Sequence, residues 1–299
     1  MTAMPVLLVP SAKVWRDYDQ AALDVQYNSR GTVADFTVYT AQYKDQTLAA
    51  KAALQCIENI DYGPGPDEQL DIYPASTGNA PVMVFLHGGD WRAFSKEDNG
   101  FGAPAFVAAG ITFVVPDFTL VPHTTLPAMG AQVGRMLAWV WRSIALQGGD
   151  ASRIFIAGHS SGANLVSQLL STDWVATQGV PRDVIKGAVF ISGLGDLEPV
   201  RLSFRNDNLQ FDQATVEIAS LVHCKPTAAA NCPLLVAVGE LETDDYRRQA
   251  SDVAAYWNAH GRPSTLFELE SRHHFDSVLE WADPQSELFK ATLKMMHTQ

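Results

Sequence analysis

The chain has 299 residues, of which 47% are apolar and 18% are charged. This composition is typical of a globular protein and excludes a disordered or fibrous one. Lysine and arginine together number 21, aspartate and glutamate 33, and the formal net charge is −12. Because an acidic chain is repelled by phosphate backbones, we expect no nucleic acid among its partners.

Cysteine usage favours a reducing compartment, of which the cytoplasm is the simplest. The three cysteines, Cys56, Cys224 and Cys232, are too few for a disulfide scaffold. Cys224 and Cys232 are near enough in sequence to pair if the protein were exported. No Cys/His cluster indicates a metal, and no cofactor is expected. Residues 1–14 lack the features of a secretory signal, and no apolar stretch reaches the ~20 residues that cross a bilayer, so we expect no membrane partner.

The predicted elements begin with a polar, helical segment, residues 1–55. Beyond Gln69, short apolar runs alternate with helical patterns. Uninterrupted apolar runs of this length are typical of parallel strands that are buried on both faces. The runs are Val82–Leu86, Ile111–Val115, Arg153–Ala157, Ile185–Ser192, Pro233–Val238 and Thr265–Leu269.

Two stretches between the runs have clear helical periodicity, Ala131–Leu146 and Asp244–His260. Strand–helix alternation predicts one α/β domain over residues 1–299, with a mostly parallel sheet covered by helices on both faces. Residues 196–228 form a polar insert between two predicted strands. Ligands bind beyond the carboxyl ends of such strands, so we expect the insert and the N-terminal segment to form a small lid there.

A Gly-x-Ser-x-Gly motif at Gly158–Gly162 follows a predicted strand and precedes a predicted helix. Strand, sharp turn and helix are the context of a nucleophile elbow, with Ser160 as the candidate nucleophile. Glycines flank the serine because the strained turn leaves no room for a Cβ.

The glycine loop, His87–Trp91, ends the first of the buried strands. Acyl transfer develops negative charge on a carbonyl oxygen, which backbone N–H groups can stabilise. We expect the N–H groups of Gly89, Asp90 and Ser161 to form this oxyanion hole. His87 is expected to hold the loop by a side-chain hydrogen bond and not to act as a base.

A serine nucleophile needs a histidine base, and this fold supplies its partners in the chain order Ser, acid, His. Only His273 and His274 follow the last strand on a loop before the final helices. We favour His274 as the base because it directly precedes Phe275 and the last helical region. His273 is then expected to line the pocket.

The acid is expected just beyond the run Pro233–Val238, where residues 240–245 contain four carboxylates. Asp244 and Asp245 are predicted in the first helical turn, with Thr243 as the N-cap. Glu240 and Glu242 remain in the loop. Glu242 is our choice, and Asp244 is the alternative.

Further motifs stand beside the serine turn, at Gln26–Arg30, Asp61–Gly63, Gln69–Pro74, His87–Trp91, Val238–Gln249 and His274–Phe275. Together they make the sequence resemble the kynurenine formamidase (arylformamidase) branch of the α/β-hydrolase fold. The resemblance implies a serine hydrolase that cleaves an N-formyl-kynurenine-like amide, or another small amide or ester, through an acyl-enzyme. It places the catalytic triad on Ser160, Glu242 and His274. Relatives of this type are often dimers, so it also allows a homodimer.

Asp90 departs from the family pattern, in which this position often carries an aromatic residue. A carboxylate here predicts either a cationic or amine-bearing substrate or a solvated side chain. Glutamate at 242, where animal members have aspartate, can fill the same orienting role. The residues expected to line the substrate pocket are Tyr27, Trp91, His159, Phe204 and His273, with Phe94 and Phe211 as further candidates.

Two other functions are compatible with parts of this pattern. A general short-chain carboxylesterase would share every catalytic residue. A catalytically silent receptor or scaffold of the same fold usually lacks one member of the triad, whereas serine, acid and histidine candidates are all present here.

Overall fold

An eight-stranded sheet forms the centre of the structure, a computed structural model that describes residues 12–227 and 231–298. Residues 1–11 of the predicted N-terminal segment and residue 228 of the predicted insert lie outside the described residues. The strands are β1 (Ile57–Asp61), β2 (Gln69–Tyr73), β3 (Ala80–Leu86), β4 (Thr112–Pro116), β5 (Gly149–His159), β6 (Ile185–Ile191), β7 (Leu234–Gly239) and β8 (Ser264–Leu269).

The strand order is β1-β2-β4-β3-β5-β6-β7-β8, and β2 is antiparallel to both of its neighbours. The strands from β4 to β8 in this order pair in parallel. All six predicted runs form strands, which confirms the mostly parallel α/β sheet. Strands β1 and β2 form an antiparallel hairpin, and it contains Asp61 and Gln69–Tyr73, which belong to the stretches that carry the family resemblance.

Helices cover both faces of the sheet. They are α1 (Gln20–Gln26), α2 (Thr37–Ala53), α3 (Ala103–Ala108), α4 (Leu126–Ser143), α5 (Ser161–Ser171), α6 (Trp174–Gln178), α7 (Glu198–Leu202), α8 (Asn206–Leu209), α9 (Gln213–Ala219), α10 (Asp244–Ala259), α11 (Ser277–Trp281) and α12 (Glu287–Thr298). Short 3₁₀ helices are Ser29–Thr32, Lys96–Asp98, Gly100–Gly102, Ile144–Gln147 and Leu221–His223. Helix α4 begins before the predicted Ala131 because the Thr125 hydroxyl caps it, accepting the Ala128 N–H at 3.3 Å.

Alternate residues of each central strand enter two separate apolar cores. In β3, Val82, Val84 and Leu86 pack in the core shared with α4, α5 and α10, whereas Met83 and Phe85 pack in the core shared with α3, α11 and α12. Burial on both faces explains why these strands read as uninterrupted apolar runs.

The N-terminal segment and the insert meet at the carboxyl ends of the strands, and we call them together the cover: α1, the helix Ser29–Thr32 and α7–α9. The Phe204 N–H donates to Asp24 Oδ1 at 2.8 Å, and the Gln20 amide donates to the Leu202 carbonyl at 2.9 Å. Thr243 stands at the N-cap of α10 as predicted, but its hydroxyl donates to the carbonyl of Gln26 at 2.8 Å. This bond ties the cover to the helix that follows the acid loop.

Within the described ranges, no helix combines the length and apolar character that a membrane span requires. The three cysteines are free thiols, Cys224 and Cys232 included.

Candidate active site

Ser160 occupies a strained turn between β5 and α5, with φ 55° and ψ −121°. A Cβ at Gly158 would lie 2.4 Å from the carbonyl oxygen of Gly162, and one at Gly162 would lie 2.1 Å from that of Leu86. Only glycine fits at either position, because real Cβ atoms do not approach backbone this closely. The turn presents the hydroxyl at the positive end of α5.

Three side chains form a continuous hydrogen-bonded chain, which we call the relay. Ser160 Oγ lies 3.0 Å from His274 Nε2, and His274 Nδ1 lies 2.7 Å from Glu242 Oε2. All three residues are buried. The structure therefore brings together the three residues that were selected from distant parts of the sequence, with the spacing that proton transfer requires.

The carboxylate of Glu242 is fixed by further donors. Its Oε1 accepts hydrogen bonds from the Ser192 hydroxyl at 2.6 Å and from the Gly239 N–H at 2.8 Å. The alternative acids lie elsewhere: Glu240 is exposed and accepts the N–H of Ser271, and Asp244 is exposed in the first turn of α10. Sequence reasoning missed Ser192, since a serine at the end of a strand gives no signal until its neighbour is known.

His273 faces away from the relay. Its Nδ1 accepts the N–H of Phe275 at 3.1 Å, and its ring packs edge-on against Tyr39 at 4.4 Å. Burial lowers its pKa, which keeps the imidazole neutral. The prediction that His273 lines the pocket is wrong: the loop turns its side chain toward α2, outside the cavity wall.

His159 connects the serine turn to the histidine loop. Its Nε2 lies 2.8 Å from the carbonyl oxygen of His274, and the two rings are 5.1 Å apart. Burial, assisted by the nearby His274, lowers the pKa of His159 to about 3. Neutral His159 therefore donates from Nε2, and its ring forms part of the cavity wall, as predicted.

The glycine loop runs against the serine turn in an unusual backbone conformation. Gly89, Asp90 and Trp91 have φ of 105°, 60° and 55°. Left-handed conformations cost non-glycine residues ~1–3 kcal/mol each and persist only where the surroundings hold them. The Trp91 N–H donates to Ser161 Oγ at 3.1 Å. Among the described residues, no protein acceptor takes the N–H groups of Gly89, Asp90 and Ser161.

His87 holds this loop from within the core, in accordance with its predicted structural role. Its Nδ1 lies 2.8 Å from the Gly88 carbonyl oxygen, and its ring stacks on Phe118 at 4.5 Å. Burial lowers the pKa of His87 to about 4, so that its Nδ1 donates as a neutral imidazole.

The carboxylate of Asp90 is paired with Arg205 of the insert, by hydrogen bonds from Nε at 2.9 Å and from Nη2. The sequence suggested a cationic substrate or a solvated side chain for Asp90, and the structure shows an ion pair within the protein, with 29% of the Asp90 side chain exposed. Arg205 was missed because it is 115 residues from Asp90 in sequence and no local pattern connects them.

A cavity of about 200 Å³ opens above Ser160 between the glycine loop and the cover. Tyr27 and Phe204 line it, as predicted. Trp91 does not: its side chain is 1% exposed and packs edge-on against Phe211 in the core, because the left-handed turn directs it inward. Aromatic residues form much of the wall: Tyr27, Phe36, Tyr43, Phe94, Phe204 and Phe275.

One cluster of carboxylates in the described chain has metal-ligand spacing, formed by Glu58, Asp71 and Glu97. The Lys51 ammonium already contacts all three, at 2.7, 2.8 and 2.6 Å, and Lys96 contacts Asp71 and Glu97. Two cations thus offset most of the negative charge of the cluster, which lies outside the cavity wall.

Comparison with known proteins agrees with this geometry. The family model for the α/β hydrolase fold matches residues 83–276. The kynurenine formamidase of Salmo salar is 31% identical over 297 residues, covering 94% of this chain and 98% of that protein. That of Danio rerio is 27% identical, with the same coverage. In structure, the esterase LipW from Mycobacterium marinum superposes with a TM-score of 0.69 at 19% identity, covering 88% of this chain and 87% of LipW, and shows the shared fold.

The serine turn, the relay and the extent of this similarity lead to one conclusion: the chain is a hydrolase of the α/β-hydrolase fold and belongs to the kynurenine formamidase family.

Proposed function

We propose that this hydrolase cleaves an N-formyl-kynurenine-like aryl formamide by way of a formyl-serine intermediate. The observation that carries the proposal is the unbroken hydrogen-bonded relay from Ser160 through His274 to Glu242 at the base of an aromatic cavity.

In the first half-reaction, His274 Nε2 accepts the proton of Ser160 as Oγ attacks the formyl carbon. The imidazolium that forms is stabilised by Glu242, which also fixes the tautomer by accepting Nδ1–H. His274 then donates its proton to the amine nitrogen, the C–N bond breaks, and the aryl amine leaves. In the second half-reaction His274 deprotonates a water that attacks the formyl carbon. The bond between that carbon and Oγ then breaks, His274 returns its proton to Ser160, and formate leaves.

We assign the stabilisation of the negative charge on the carbonyl oxygen to backbone N–H groups of the glycine loop and of Ser161. The N–H groups of Gly89, Asp90 and Ser161 have no other acceptor among the described residues and so can serve as oxyanion donors. Because their positions are set before substrate arrives, they stabilise the transition state without reorganising.

The cavity supports an aromatic leaving group. Its volume of about 200 Å³ is below the ~300–1,000 Å³ of sites for drug-sized ligands, which favours a small substrate. Aromatic walls favour a planar ring, whereas a formyl group needs almost no space on the acyl side.

We further propose that the protein works in the cytoplasm and forms a homodimer. Three free thiols favour work in the reducing cytoplasm, which subcellular fractionation tests. The family resemblance favours a homodimer, which analytical ultracentrifugation tests.

The decisive measurement compares kcat/KM for N-formyl-kynurenine with that for p-nitrophenyl acetate, with active sites titrated by a fluorophosphonate. We expect the formamide to be the better substrate, and Ser160→Ala to abolish both activities and the labelling. Preference for the ester by orders of magnitude would identify a carboxylesterase. A wild-type protein that neither labels nor turns over would instead be a silent member of the fold.

A further inference from the structure

Arg205 takes no part in the relay, yet it is among the most buried arginines of the described chain, with 8% of its surface exposed. We propose that Arg205 is a positioning residue, through which the insert holds the glycine loop in the conformation that aims its N–H groups at the reacting carbonyl. The inference rests on the proposed function, because it assumes that this loop stabilises an oxyanion.

The guanidinium directs its donors at two elements at once. Nε and Nη2 donate to Asp90 Oδ1, and Nη1 donates to the hydroxyl of Tyr246 at 2.9 Å. The same group lies 5.8 Å from the centre of the Trp91 ring. Burial opposes the charged form, but Tyr246 and Asp90 outweigh it and raise the pKa of Arg205. Arg205 is therefore a permanent cation within the site.

The loop needs such a restraint because consecutive residues have left-handed backbone. Hydrogen bonds within the loop, from the N–H groups of Arg92 and Ala93 to the carbonyl of Gly89, close its turn. They do not fix Asp90, whose own N–H is a proposed oxyanion donor. In the part of the chain that the structure describes, Arg205 is the sole hydrogen-bond donor to the Asp90 carboxylate.

Through Tyr246, Arg205 is also connected to the catalytic base, His274. The Tyr246 ring packs edge-on against His274 at 4.9 Å, and Tyr246 belongs to α10, which follows the loop of Glu242. Arg205 thus spans the gap between the oxyanion donors and the base. A buried ion pair contributes little net stability compared with an apolar pair. The position of the pair of Arg205 and Asp90 therefore favours a role in fixing the conformation of the glycine loop.

The test is a double-mutant cycle of Arg205→Lys and Asp90→Asn. Lysine keeps the charge but cannot form the forked contact, and asparagine keeps the shape of Asp90 without its charge. Arg201→Lys is the matched control, because Arg201 forms a comparable pair with Glu198 in the same insert and is not in the cavity wall. The readouts are kcat and KM per titrated active site, the rate constant of Ser160 phosphonylation by a fluorophosphonate, and the midpoint of thermal unfolding.

We expect each single variant to lower kcat and the phosphonylation rate about tenfold or more, with KM changed less than threefold, since misplaced donors weaken transition-state binding. The double variant should be no worse than about threefold below the poorer single variant, because both changes break one contact. The control variant, Arg201→Lys, should have the kcat, KM and phosphonylation rate of wild type.

Two results would overturn the inference. Titrated variants with wild-type kcat and only a lower unfolding midpoint would reduce Arg205 to a stabilising role. An effect confined to KM would make it a substrate contact. If wild type cleaves p-nitrophenyl acetate but not N-formyl-kynurenine, the proposed substrate fails, while the ester kinetics and phosphonylation still decide the role of Arg205.

Discussion

The base of the cavity and its cover are built in different ways. At the base, strand-end turns hold Ser160 and His274, and every polar atom of the relay has a partner within a few residues of a strand. The cover is held by single contacts between segments remote in sequence, such as Asp24 with Phe204. The chemistry thus rests on the rigid sheet, whereas the shape of the cavity depends on long-range pairs.

This difference predicts that changes at the base act on kcat and that changes in the cover, apart from the Arg205 contact with the glycine loop, act on stability or substrate choice. The largest effect is expected at the base itself. His274→Ala should lower kcat by about 10⁴-fold or more, because the serine loses its proton acceptor. The adjacent His273→Ala should lower it less than about tenfold, because that ring contacts Tyr39 outside the cavity. Steady-state kinetics of the two variants measure both effects. If His273→Ala caused the larger loss of kcat, the base would be His273.

Glu242→Gln should come next, with kcat reduced about 10³- to 10⁴-fold, since an amide can hold the wrong tautomer of His274 and cannot stabilise its charged form. Glu240→Gln is the matched control: Glu240 is exposed on the same loop and bonds only backbone of the histidine loop. Kinetics near wild type for Glu242→Gln would show that this carboxylate does not assist His274.

A smaller effect is expected in the pH dependence of stability. Burial lowers the pKa of His159 to about 3 from an ordinary 6.5. As the pH falls below 6.5, the unfolded chain binds a proton that the folded chain does not, so this histidine reduces the free energy of unfolding. His159→Gln removes that term and keeps a donor for the His274 carbonyl. Between pH 7 and pH 5 the variant should gain about 2 kcal/mol relative to wild type.

Denaturant unfolding at several pH values measures this difference. Parallel stability curves for wild type and His159→Gln would show that the imidazole is not held neutral in the folded protein.

The smallest effect on catalysis is expected in the cover. The hydroxyl of Tyr27 donates to Asp245 and accepts a hydrogen bond from Gln249 at 2.7 Å. Tyr27→Phe removes one hydrogen bond from each group, although Asp245 keeps Arg248 and Gln249 keeps the Asp196 carbonyl. The loss of two hydrogen bonds should cost about 1–3 kcal/mol of stability, while kcat changes less than about threefold. Thermal unfolding and kinetics together test this, and a large loss of kcat at unchanged stability would place the hydroxyl in the reaction.

The sequence predicts those parts of the site that have a local signal. The strands, the serine turn and the histidine loop have local signals: apolar runs, flanking glycines and position after the last strand. Glu242 was chosen among four nearby carboxylates by its place between a strand and a helix cap. Arg205 and Ser192 could not be found, since each matters only through a partner at least 50 residues away.

Trp91 is the opposite case, a residue that the sequence places in the pocket and the structure places in the core. An aromatic residue beside a glycine turn is typical of a ligand pocket, and only the sign of φ, invisible in the sequence, directs this indole into the core. The core position of Phe211 was equally hidden, because it packs against that indole.

The contact between Arg205 and Asp90 also bears on protein engineering. Inserts such as residues 196–228 are natural units to exchange when a new substrate range is wanted. A chimera that receives a foreign insert here would lose the guanidinium and retain an unpaired Asp90 beside its reacting serine. Grafts into this scaffold should therefore carry an arginine at the matching position, or replace Asp90 at the same time.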